Sequence, residues 1–423
     1  MNAAGADGRC DVAIVGGGMV GASLALALAA LPLEVVVIEA VEPEDGAQPS
    51  FDARTIALSN GTRRNSAGLG VWDEIAREAT AIRRIHVSDR GRFGSALIDA
   101  AEQGVAALGY VAENRVIGRA LWRRLRAAPQ TRLIAPARVT AALPGAERVA
   151  LTVAGPGGGR TLAARLAIAA DGAASLVRQA AGVGAERWDY GQTALISLVT
   201  PQRYHDHVAY ERFTPAGPLA VLPAPDGRVV VVWTLAPAEA GRVAALDDAR
   251  FLAELQERFG WRLGRLLAVG PRHAYPLALT QAAAERAART AIIGNAAQGL
   301  HPIAGQGFNL GLRDAATLAE VLAEAGPGAD PGADALLERY ARWRHTDRHA
   351  LIAFTDGLVR LFASPFGPVR AARSLGLVLF DLSPTAKSAL SKLSLGFAGR
   401  LPRLARGLPL VAGAAGAGEG PRP

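Results

Sequence analysis

A glycine-rich stretch at residues 301–315 contains the residue types best suited to chemistry. It reads HPIAGQGFNLGLRDA, and an amphipathic run over 310–322 begins within it. This pattern predicts a loop that opens onto a helix. Glycines lack the Cβ atoms that would keep a flat ligand away from the backbone, and a helix N-terminus supplies free N–H groups with partial positive charge. The stretch therefore suits a flat ligand on which negative charge gathers at one edge.

Gly16, Gly18 and Gly21 form a second glycine pattern, GxGxxG, near the N-terminus. The pattern lies in a predicted βαβ unit with a strand over 11–15, a helix over 22–31 and a strand over 34–38. In such a unit the glycines permit a tight turn, the approach of a pyrophosphate and close helix–strand packing. Glu39 ends the second strand, 39 − 21 = 18 residues past Gly21, where it can accept hydrogen bonds from a ribose. The unit predicts a dinucleotide site without choosing between FAD and NAD; the alternative is a glycine-rich turn that binds no ligand.

The composition is that of an ordinary globular protein with an excess of positive charge. The 423 residues suit two intertwined domains, hydrophobic residues make up 50%, and the net charge is +8 with a pI of about 10.3. Lysine occurs only at positions 387 and 392, so arginine carries almost all of this charge. Either codon bias explains the arginines, or they attract anionic membrane lipid or an acidic partner. The chain has no helix-turn-helix, zinc or RNA-binding signature, so nucleic acid is not expected as a partner.

Several other classes of protein are disfavoured by the sequence. A single cysteine, Cys10, excludes an intrachain disulfide and a cysteine metal cluster. The seven histidines are scattered, and the pairs His205/His207 and His345/His349 lack carboxylate or thiolate companions at ligand spacing, so no metal site is expected. The Gly-x-Ser-x-Gly elbow of a hydrolase does not occur. Neither a signal peptide nor a spanning segment is recognisable, so a cytoplasmic location is expected.

The order of predicted elements indicates a mixed α/β protein, with a Rossmann-like dinucleotide domain and an interleaved, mainly antiparallel second sheet. Residues 188–280 alternate apolar and polar positions and are predicted as strands of that sheet. A helix is predicted over 116–127, a hairpin over 137–154 and a buried strand over 291–293. The predicted division is a dinucleotide-binding segment at 1–75, a substrate-domain segment at 76–110, a second dinucleotide-binding segment at 111–187, the substrate-binding sheet at 188–280, a third dinucleotide-binding segment at 281–330, C-terminal helices at 331–411 and a disordered tail at 412–423.

Two later segments resemble those of a known family, and this resemblance favours FAD over NAD as the cofactor. Residues 167–178, AIAADGAASLVR, resemble the Asp-Gly motif of FAD-dependent aromatic hydroxylases, so that Asp171 and Gly172 would end a strand near the FAD pyrophosphate. The stretch 301–315 resembles, almost residue for residue, the signature of the ubiquinone-biosynthesis branch of those hydroxylases. At Gly294-Asn295 the chain departs from the Gly-Asp pair usual in the wider family. Asn295 can still bond a ribityl hydroxyl, but it carries no charge.

The resemblance implies which residues surround FAD. Arg54 would lie near the flavin or an incoming nicotinamide phosphate, and Asn114 and Arg119 would lie near the adenosine. Pro302 would pack against the flavin ring, and backbone N–H groups over 305–309 would stabilise its negative charge. The full set expected to contact the cofactor is Gly16, Gly18, Gly21, Glu39, Arg54, Asn114, Arg119, Asp171, Gly172, Gly294, Asn295, Pro302, Gly305, Gly307, Phe308 and Asn309. No catalytic nucleophile is expected, because the cofactor carries the difficult chemistry.

The resemblance also implies the activity. NADPH or NADH would reduce FAD, O2 would add at flavin carbon C4a, and the resulting hydroperoxide would hydroxylate an electron-rich ring. The substrate would be a polyprenyl phenol of ubiquinone biosynthesis, held by the sheet at 188–280. Five segments look like those of the hydroxylase that acts at C1 of 2-polyprenyl-6-methoxyphenol, namely 86–91, 211–214, 259–264, 275–280 and 355–358. The alternatives are another ring position, a soluble aromatic substrate on the same fold, and a non-catalytic flavoprotein that serves as a structural subunit.

A basic C-terminal region offers a way to reach a substrate with a long apolar tail. Between 358 and 406 the only acid is Asp381, and the basic residues are Arg360, Arg370, Arg373, Lys387, Lys392, Arg400, Arg403 and Arg406. Basic amphipathic helices of this kind rest on membranes or on partner proteins; the alternative is that they simply pack on the FAD domain. We therefore expect peripheral contact with the inner face of a bacterial plasma membrane, and other ubiquinone-biosynthesis proteins are candidate partners.

Overall fold

The computed structural model describes residues 8–42, 54–299 and 306–363, and farther along the chain residues 381, 383, 385, 387, 395–397 and 399–411. Its strands are β1 Arg9–Val15, β2 Val35–Ile38, β3 Thr55–Ser59, β4 Thr80–Ile82, β5 Arg84–Asp89, β6 Ser95–Asp99, β7 Gly109–Glu113, β8 Thr131–Ile134, β9 Arg138–Pro144, β10 Val149–Gly155, β11 Gly158–Ala169, β12 Ala185–Pro201, β13 Val208–Thr214, β14 Gly217–Pro223, β15 Val229–Leu235, β16 Leu266–Val269, β17 His273–Ala282, β18 Arg286–Ala287, β19 Thr290–Ile292 and β20 Gln298–Gly299. Its helices are α1 Met19–Leu28, α2 Asn60–Gly68, α3 Trp72–Ala76, α4 Asn114–Arg126, α5 Leu176–Ala180, α6 Pro237–Ala244, α7 Asp248–Phe259, α8 Gln306–Ala325 and α9 Asp334–Ala363.

The first sheet has a parallel centre in the order β19-β11-β1-β2-β8, which β18 and the hairpin β9–β10 extend antiparallel. All four residues of β2 are apolar and buried, as expected for a parallel strand covered on both faces. Helices α1, α4 and α8 pack on one face, while α5 and the β9–β10 hairpin pack on the other. In the register, Val15 lies beside both Ile38 and Ala169. The turns that follow β1, β2, β11 and β19 therefore meet along one edge, which we call the carboxyl edge.

The second sheet runs in the order β20-β17-β12-β15-β14-β13-β5-β6, with β16 also beside β12. Its pairs are antiparallel except β13 with β5. Helices α6 and α7 cover its outer face, where Leu195, Leu219 and Trp233 are fully buried. The small sheet β3-β7-β4 packs against its inner face, through contacts that include Ile82 and Val111. The second sheet thus lies between a helical layer and the small sheet.

The structure confirms the predicted mixed α/β fold but corrects one segment of it. The predicted helix at 116–127 begins at Asn114, and the predicted hairpin at 137–154 forms as β9 and β10. The prediction of strands throughout 188–280 is wrong over α6 and α7. Pro237 begins α6, and Asp247 caps α7 by accepting a hydrogen bond from the N–H of Arg250. These start signals outweigh the local apolar alternation.

Membrane-spanning helices are not found in the described ranges, since none of the helices there is both long and apolar enough. The basic region at 358–406 and the tail at 412–423 fall largely outside the described residues. The predicted division into domains stays a prediction.

Candidate active site

The GxGxxG turn forms the first part of the carboxyl edge. Gly16 has φ +103°, and a Cβ there would lie 2.4 Å from the carbonyl oxygen of Ala170. A Cβ on Gly21 would lie 2.0 Å from the carbonyl oxygen of Gly16. Gly18 begins α1 in an extended conformation and brings no capping side chain. The first N–H groups of α1 are thus left for an anionic ligand, as a pyrophosphate-binding turn requires.

Glu39 and Trp122 hold this turn from two sides. The N–H of Gly17 donates to Glu39 Oε2 at 2.6 Å, and Trp122 Nε1 donates to the carbonyl oxygen of Gly17 at 2.7 Å. The N–H of Val41 donates to Glu39 Oε1 at 3.0 Å. The structure therefore shows Glu39 orienting the peptide groups of Gly17, while its predicted contact with a ribose stays a prediction. Trp122 was missed by sequence reasoning; an apolar ring at a buried position of the arginine-rich α4 was the available signal.

The Asp171-Gly172 turn meets the GxGxxG turn at this edge. A Cβ on Gly16 would lie 2.9 Å from the backbone nitrogen of Asp171, so the two turns are in contact. Asp171 Oδ2 accepts hydrogen bonds from the N–H groups of Leu176 at 2.8 Å and Val177 at 3.3 Å. Its Oδ1 accepts from the hydroxyl of Ser175. The carboxylate thus fixes the start of α5, and Gly172 lies within the fixed turn.

Gly294 and Asn295 follow β19, the strand next to β11 at the carboxyl edge. The N–H of Gly294 donates to Asp314 Oδ2 at 3.0 Å, which ties this turn to α8. The Asn295 side chain is exposed, as a group that reaches for a ligand hydroxyl must be. Sequence motifs that are over a hundred residues apart are thereby brought onto one edge.

The start of α8 is fixed by side chains of its first turns. Asn309 Oδ1 accepts hydrogen bonds from the N–H of Ser59 at 2.9 Å and from the hydroxyl of Thr62 at 2.6 Å. Its Nδ2 donates to the carbonyl oxygen of Ala57 at 2.9 Å. Phe308 packs into the core beneath the first sheet. These two side chains dock α8 on β3 and α2. A contact of Phe308 and Asn309 with the flavin would therefore be made by the backbone around Gly307, and it stays a prediction.

Among the other predicted cofactor residues, Arg54 and Asn114 lie next to each other, and Arg119 lies on the surface. The N–H of Asn114 donates to the carbonyl oxygen of Arg54 at 2.8 Å, and the Arg54 guanidinium lies over the Tyr275 ring, 5.1 Å from its centroid. Arg119, with 55% of its side chain exposed, pairs with Glu78. Pro302 and Gly305 lie outside the described residues.

A buried ionic cluster supports the turn at Gly294. Asp314 Oδ1 accepts from Arg344 Nε at 2.7 Å, and Arg344 Nη1 donates to Asp347 Oδ2 at 2.8 Å. Arg313 Nη2 lies 3.0 Å from the same oxygen of Asp347. Burial lowers the pKa of Arg313 to about 10 despite the nearby carboxylate of Asp347. Sequence reasoning missed this cluster, although a charged pair inside the apolar α8 run was a visible signal.

The inner face of the second sheet is apolar and only partly buried. Ile196, Leu198, Leu222 and Val232 keep accessible surface there, whereas the alternate residues of the same strands, such as Val231, are fully buried on the outer face. The four residues pack against a cluster that includes Ile82 and Val111 of the small sheet, and Val230 on the same face is 2% exposed. A cluster of potential metal ligands is not found in the part of the chain that the structure describes.

FAD fits the carboxyl edge on these observations. The turn after β1 admits close backbone approach, α1 presents uncapped N–H groups, and Asn295 is exposed at the end of β19. The chain matches the family described as FAD binding domain over residues 9–355. The p-nitrophenol 4-monooxygenase PnpA of Pseudomonas putida DLL-E4 has the same fold, with a TM-score of 0.76, 22% identity and coverage of 93% of this chain and 99% of the other. The fold and the site define an FAD-dependent aromatic hydroxylase.

Sequence relatives narrow this class. The ubiquinone hydroxylase UbiL of Rhodospirillum rubrum is 41% identical over 409 residues, which cover 96% of this chain and 94% of the relative. The 3-demethoxyubiquinol 3-hydroxylase of Escherichia coli is 35% identical over 393 residues, covering 91% and 98%. The chain belongs to the family of FAD-dependent ubiquinone-biosynthesis hydroxylases. It is a flavin monooxygenase of that pathway, a class for which NAD(P)H and O2 are the typical co-substrates.

Proposed function

We propose that the protein hydroxylates the ring of a polyprenyl phenol, at C1 of 2-polyprenyl-6-methoxyphenol. The observation that carries the substrate class is the apolar inner face, where Ile196, Leu198, Leu222 and Val232 keep accessible surface. Burial of this surface against an alkylated ring stabilises the complex by roughly 25 cal/mol per Å². The similarity to ubiquinone hydroxylases over almost the whole chain supports the same class.

The residues of the carboxyl edge would hold FAD mainly through their backbone. N–H groups at the start of α1 would bind the pyrophosphate, and Glu39 and Trp122 would keep Gly17 oriented for its approach. Asn295 would bond the ribityl chain, and the first turn of α8 would face the negative edge of the ring. FAD supplies the electron transfer and the activation of oxygen, after reduction by NADH or NADPH. The second sheet would position the phenol and exclude water from it.

The quinone content of a bacterium that lacks this gene tests the proposal. Mass spectrometry of lipid extracts is expected to show loss of ubiquinone and accumulation of the prenylated methoxyphenol without its C1 oxygen. Accumulation of a demethoxyubiquinol would instead assign the ring position named for the E. coli relative, the second candidate, which its 35% identity favours. Unchanged ubiquinone, together with turnover of a small phenol that has no prenyl tail, would support the soluble-substrate alternative and contradict the proposal.

We also propose that the protein works in the cytoplasm, in peripheral contact with an anionic membrane. The net charge of +8 and the basic residues at 358–406 support this contact by charge complementarity. Sedimentation with vesicles is the test. Binding to vesicles that contain anionic lipid, and its loss at high salt, is expected; a protein that ignores anionic vesicles would contradict this proposal.

A further inference from the structure

Glu211, in the middle of β13, points to the inner face of the second sheet. Its neighbours point the other way: the Tyr210 ring lies 5.3 Å from the Phe259 ring of α7, and Arg212 Nε donates to the carbonyl oxygen of Arg258 at 3.0 Å. Because successive side chains of a strand alternate between faces, the Glu211 carboxyl lies opposite these outer-face contacts.

The surroundings of Glu211 on the inner face are aliphatic. In the register it pairs with Val87 on β5 and Ala220 on β14, and the same row continues through Val232 and Ile196. These residues belong to the face that keeps accessible surface. Glu211 as a residue is likewise partly accessible, while its carboxyl group is buried. The carboxyl therefore lies on the partly buried apolar face to which the proposed function assigns the substrate.

The Glu211 carboxyl has no partner among the described residues: neither a hydrogen-bond donor nor a cation contacts it. Other ionisable groups that the register places on this face are Asp89, at the end of β5, and Tyr275, whose ring lies under the Arg54 guanidinium. Burial alone raises the pKa of Glu211 to about 7. An enclosed carboxyl without a partner is costly to keep, and a phenol bound on this face would supply one.

We propose that Glu211 is the general base for the hydroxylation, and that it accepts the proton of the substrate's phenolic hydroxyl. This inference rests on the proposed function, since it requires a phenol on the inner face. The phenolic O–H bond breaks, an O–H bond forms on the carboxylate, and the electron pair stays on the phenolic oxygen. From there it raises the electron density at the ring carbons ortho and para to that oxygen, where an electrophilic oxygen is accepted.

The acidity of the two groups supports the assignment. A phenol ionises near pH ~10, and an ordinary glutamic acid near pH ~4.3, a mismatch of almost six units. With the pKa of Glu211 raised to about 7, the mismatch is roughly halved. A base matched in this way contributes about 10²- to 10⁴-fold to the rate, and it is deprotonated above neutral pH.

The first test measures the rate of hydroxylation as a function of pH. FAD-loaded enzyme, reduced with dithionite, is mixed with oxygen and a short-tail 2-prenyl-6-methoxyphenol, and the product formed per flavin is followed in time. We expect the wild-type rate to fall about tenfold per pH unit below pH ~7. Glu211→Gln should be about 10²- to 10⁴-fold slower above pH 7, and its rate should not show this fall at low pH (the low-pH limb of the profile). Glu211→Asp should keep the low-pH limb and recover part of the wild-type rate.

Glu186→Gln is the matched control, because Glu186 lies on the same sheet with its side chain exposed. It should retain the wild-type rate and pH profile. A Glu211→Gln enzyme that keeps the low-pH limb, or that hydroxylates at the wild-type rate, would overturn the inference while leaving the proposed function intact.

A binding measurement tests the same contact without turnover. Perturbation of the flavin absorbance gives the Kd for the phenol and for the same ring without its hydroxyl. The wild type is expected to prefer the phenol by about 10- to 100-fold at pH 8, as a hydrogen bond to a charged group allows, and Glu211→Gln should lose most of this preference. If the wild type binds the phenol in this way but forms no product, the proposed hydroxylation fails and the contact of Glu211 stands. If the two rings bind equally to the wild type, the inference fails.

Discussion

Asp314→Asn is expected to destabilise the protein and to weaken FAD binding, although Asp314 lies below the site. The Asp314 and Arg344 side chains are both 0% exposed and pair at 2.7 Å. The other carboxylate oxygen accepts from the N–H of Gly294 at 3.0 Å and from Gln298 Nε2 at 2.8 Å. Asparagine removes the charge and replaces one of these two acceptors by a donor, so either the ion pair or the support of Gly294 is lost.

The size of the effect follows from the burial of the pair. Removal of one partner of a buried ion pair costs about 3–5 kcal/mol, because the other charge is left uncompensated. Arg344 keeps Asp347, whose Oδ2 lies 2.8 Å from Nη1, so the loss is expected near the lower end, about 3 kcal/mol. Burial tends to lower the pKa of Arg344, but Asp314 and Asp347 outweigh it and hold that pKa above its ordinary value. Arg344 therefore stays charged.

Urea unfolding of the FAD-loaded protein measures the loss, with Glu324→Gln as the matched control. Glu324 lies on the same helix, is 40% exposed and pairs with Arg339 at 3.1 Å, so its removal should cost about 0–1 kcal/mol. A titration of the apoprotein with FAD, followed by flavin fluorescence, reports the effect on the turn at Gly294. Equal losses in the two variants, or wild-type stability of Asp314→Asn, would refute the reasoning.

Further predictions concern the turn and two buried ionisable groups. Gly21→Ala, whose Cβ would meet a backbone oxygen at 2.0 Å, should yield protein with little bound flavin absorbance. Trp122→Phe removes the 2.7 Å hydrogen bond to Gly17 and should weaken FAD binding about tenfold in the same fluorescence titration. Burial raises the pKa of Cys10 to about 12, so at pH 8 only ~10⁻⁴ of the thiol is ionised, and it should react with a disulfide reagent only after unfolding. The pKa of Glu211 rises from ~4.3 in the unfolded chain to about 7 in the folded protein, so the wild type loses stability as pH rises between these values. At pH 8 Glu211→Gln should therefore be more stable than the wild type, by at most roughly 3–4 kcal/mol. At pH 4, where the carboxyl is protonated in both states, this advantage should be absent.

Features whose signals are local were predicted well from the sequence. The β1–α1–β2 unit follows from buried apolar strands on either side of three spaced glycines, and the structure places Gly16, Gly18 and Gly21 in the turn between them. Over α6 and α7 helical and strand signals compete, and the prediction of strands followed the weaker signal. In α7, Phe251, Leu255 and Phe259 recur at helical spacing beneath an Asp247 cap, yet frequent Pro and Gly nearby favoured strands.

Features that depend on distant pairing were not predicted. Asp314 and Arg344 are thirty residues apart on different helices, and only the packing of α8 on α9 shows that the two charges neutralise each other. The face on which Glu211 lies depends on the register of β13 with β14 and β5, which periodicity alone does not fix. The sequence shows which residues are available, while burial and register show which of them are left without a partner.

The acids of the nucleotide motifs share a role that a motif alone does not reveal. Glu39, Asp171 and Asp314 each accept a backbone N–H in a turn of the carboxyl edge, at 2.6, 2.8 and 3.0 Å. A carboxylate placed directly against a pyrophosphate would repel it, whereas one bonded to the surrounding amides fixes the turn and leaves the N–H groups of α1 to meet the anion. Glu211 differs from all three, since no amide of the described residues donates to its carboxyl. Three acids with amide partners thus fix turns of the carboxyl edge, whereas Glu211, for which the described residues offer no partner, is the acid that we propose for proton transfer.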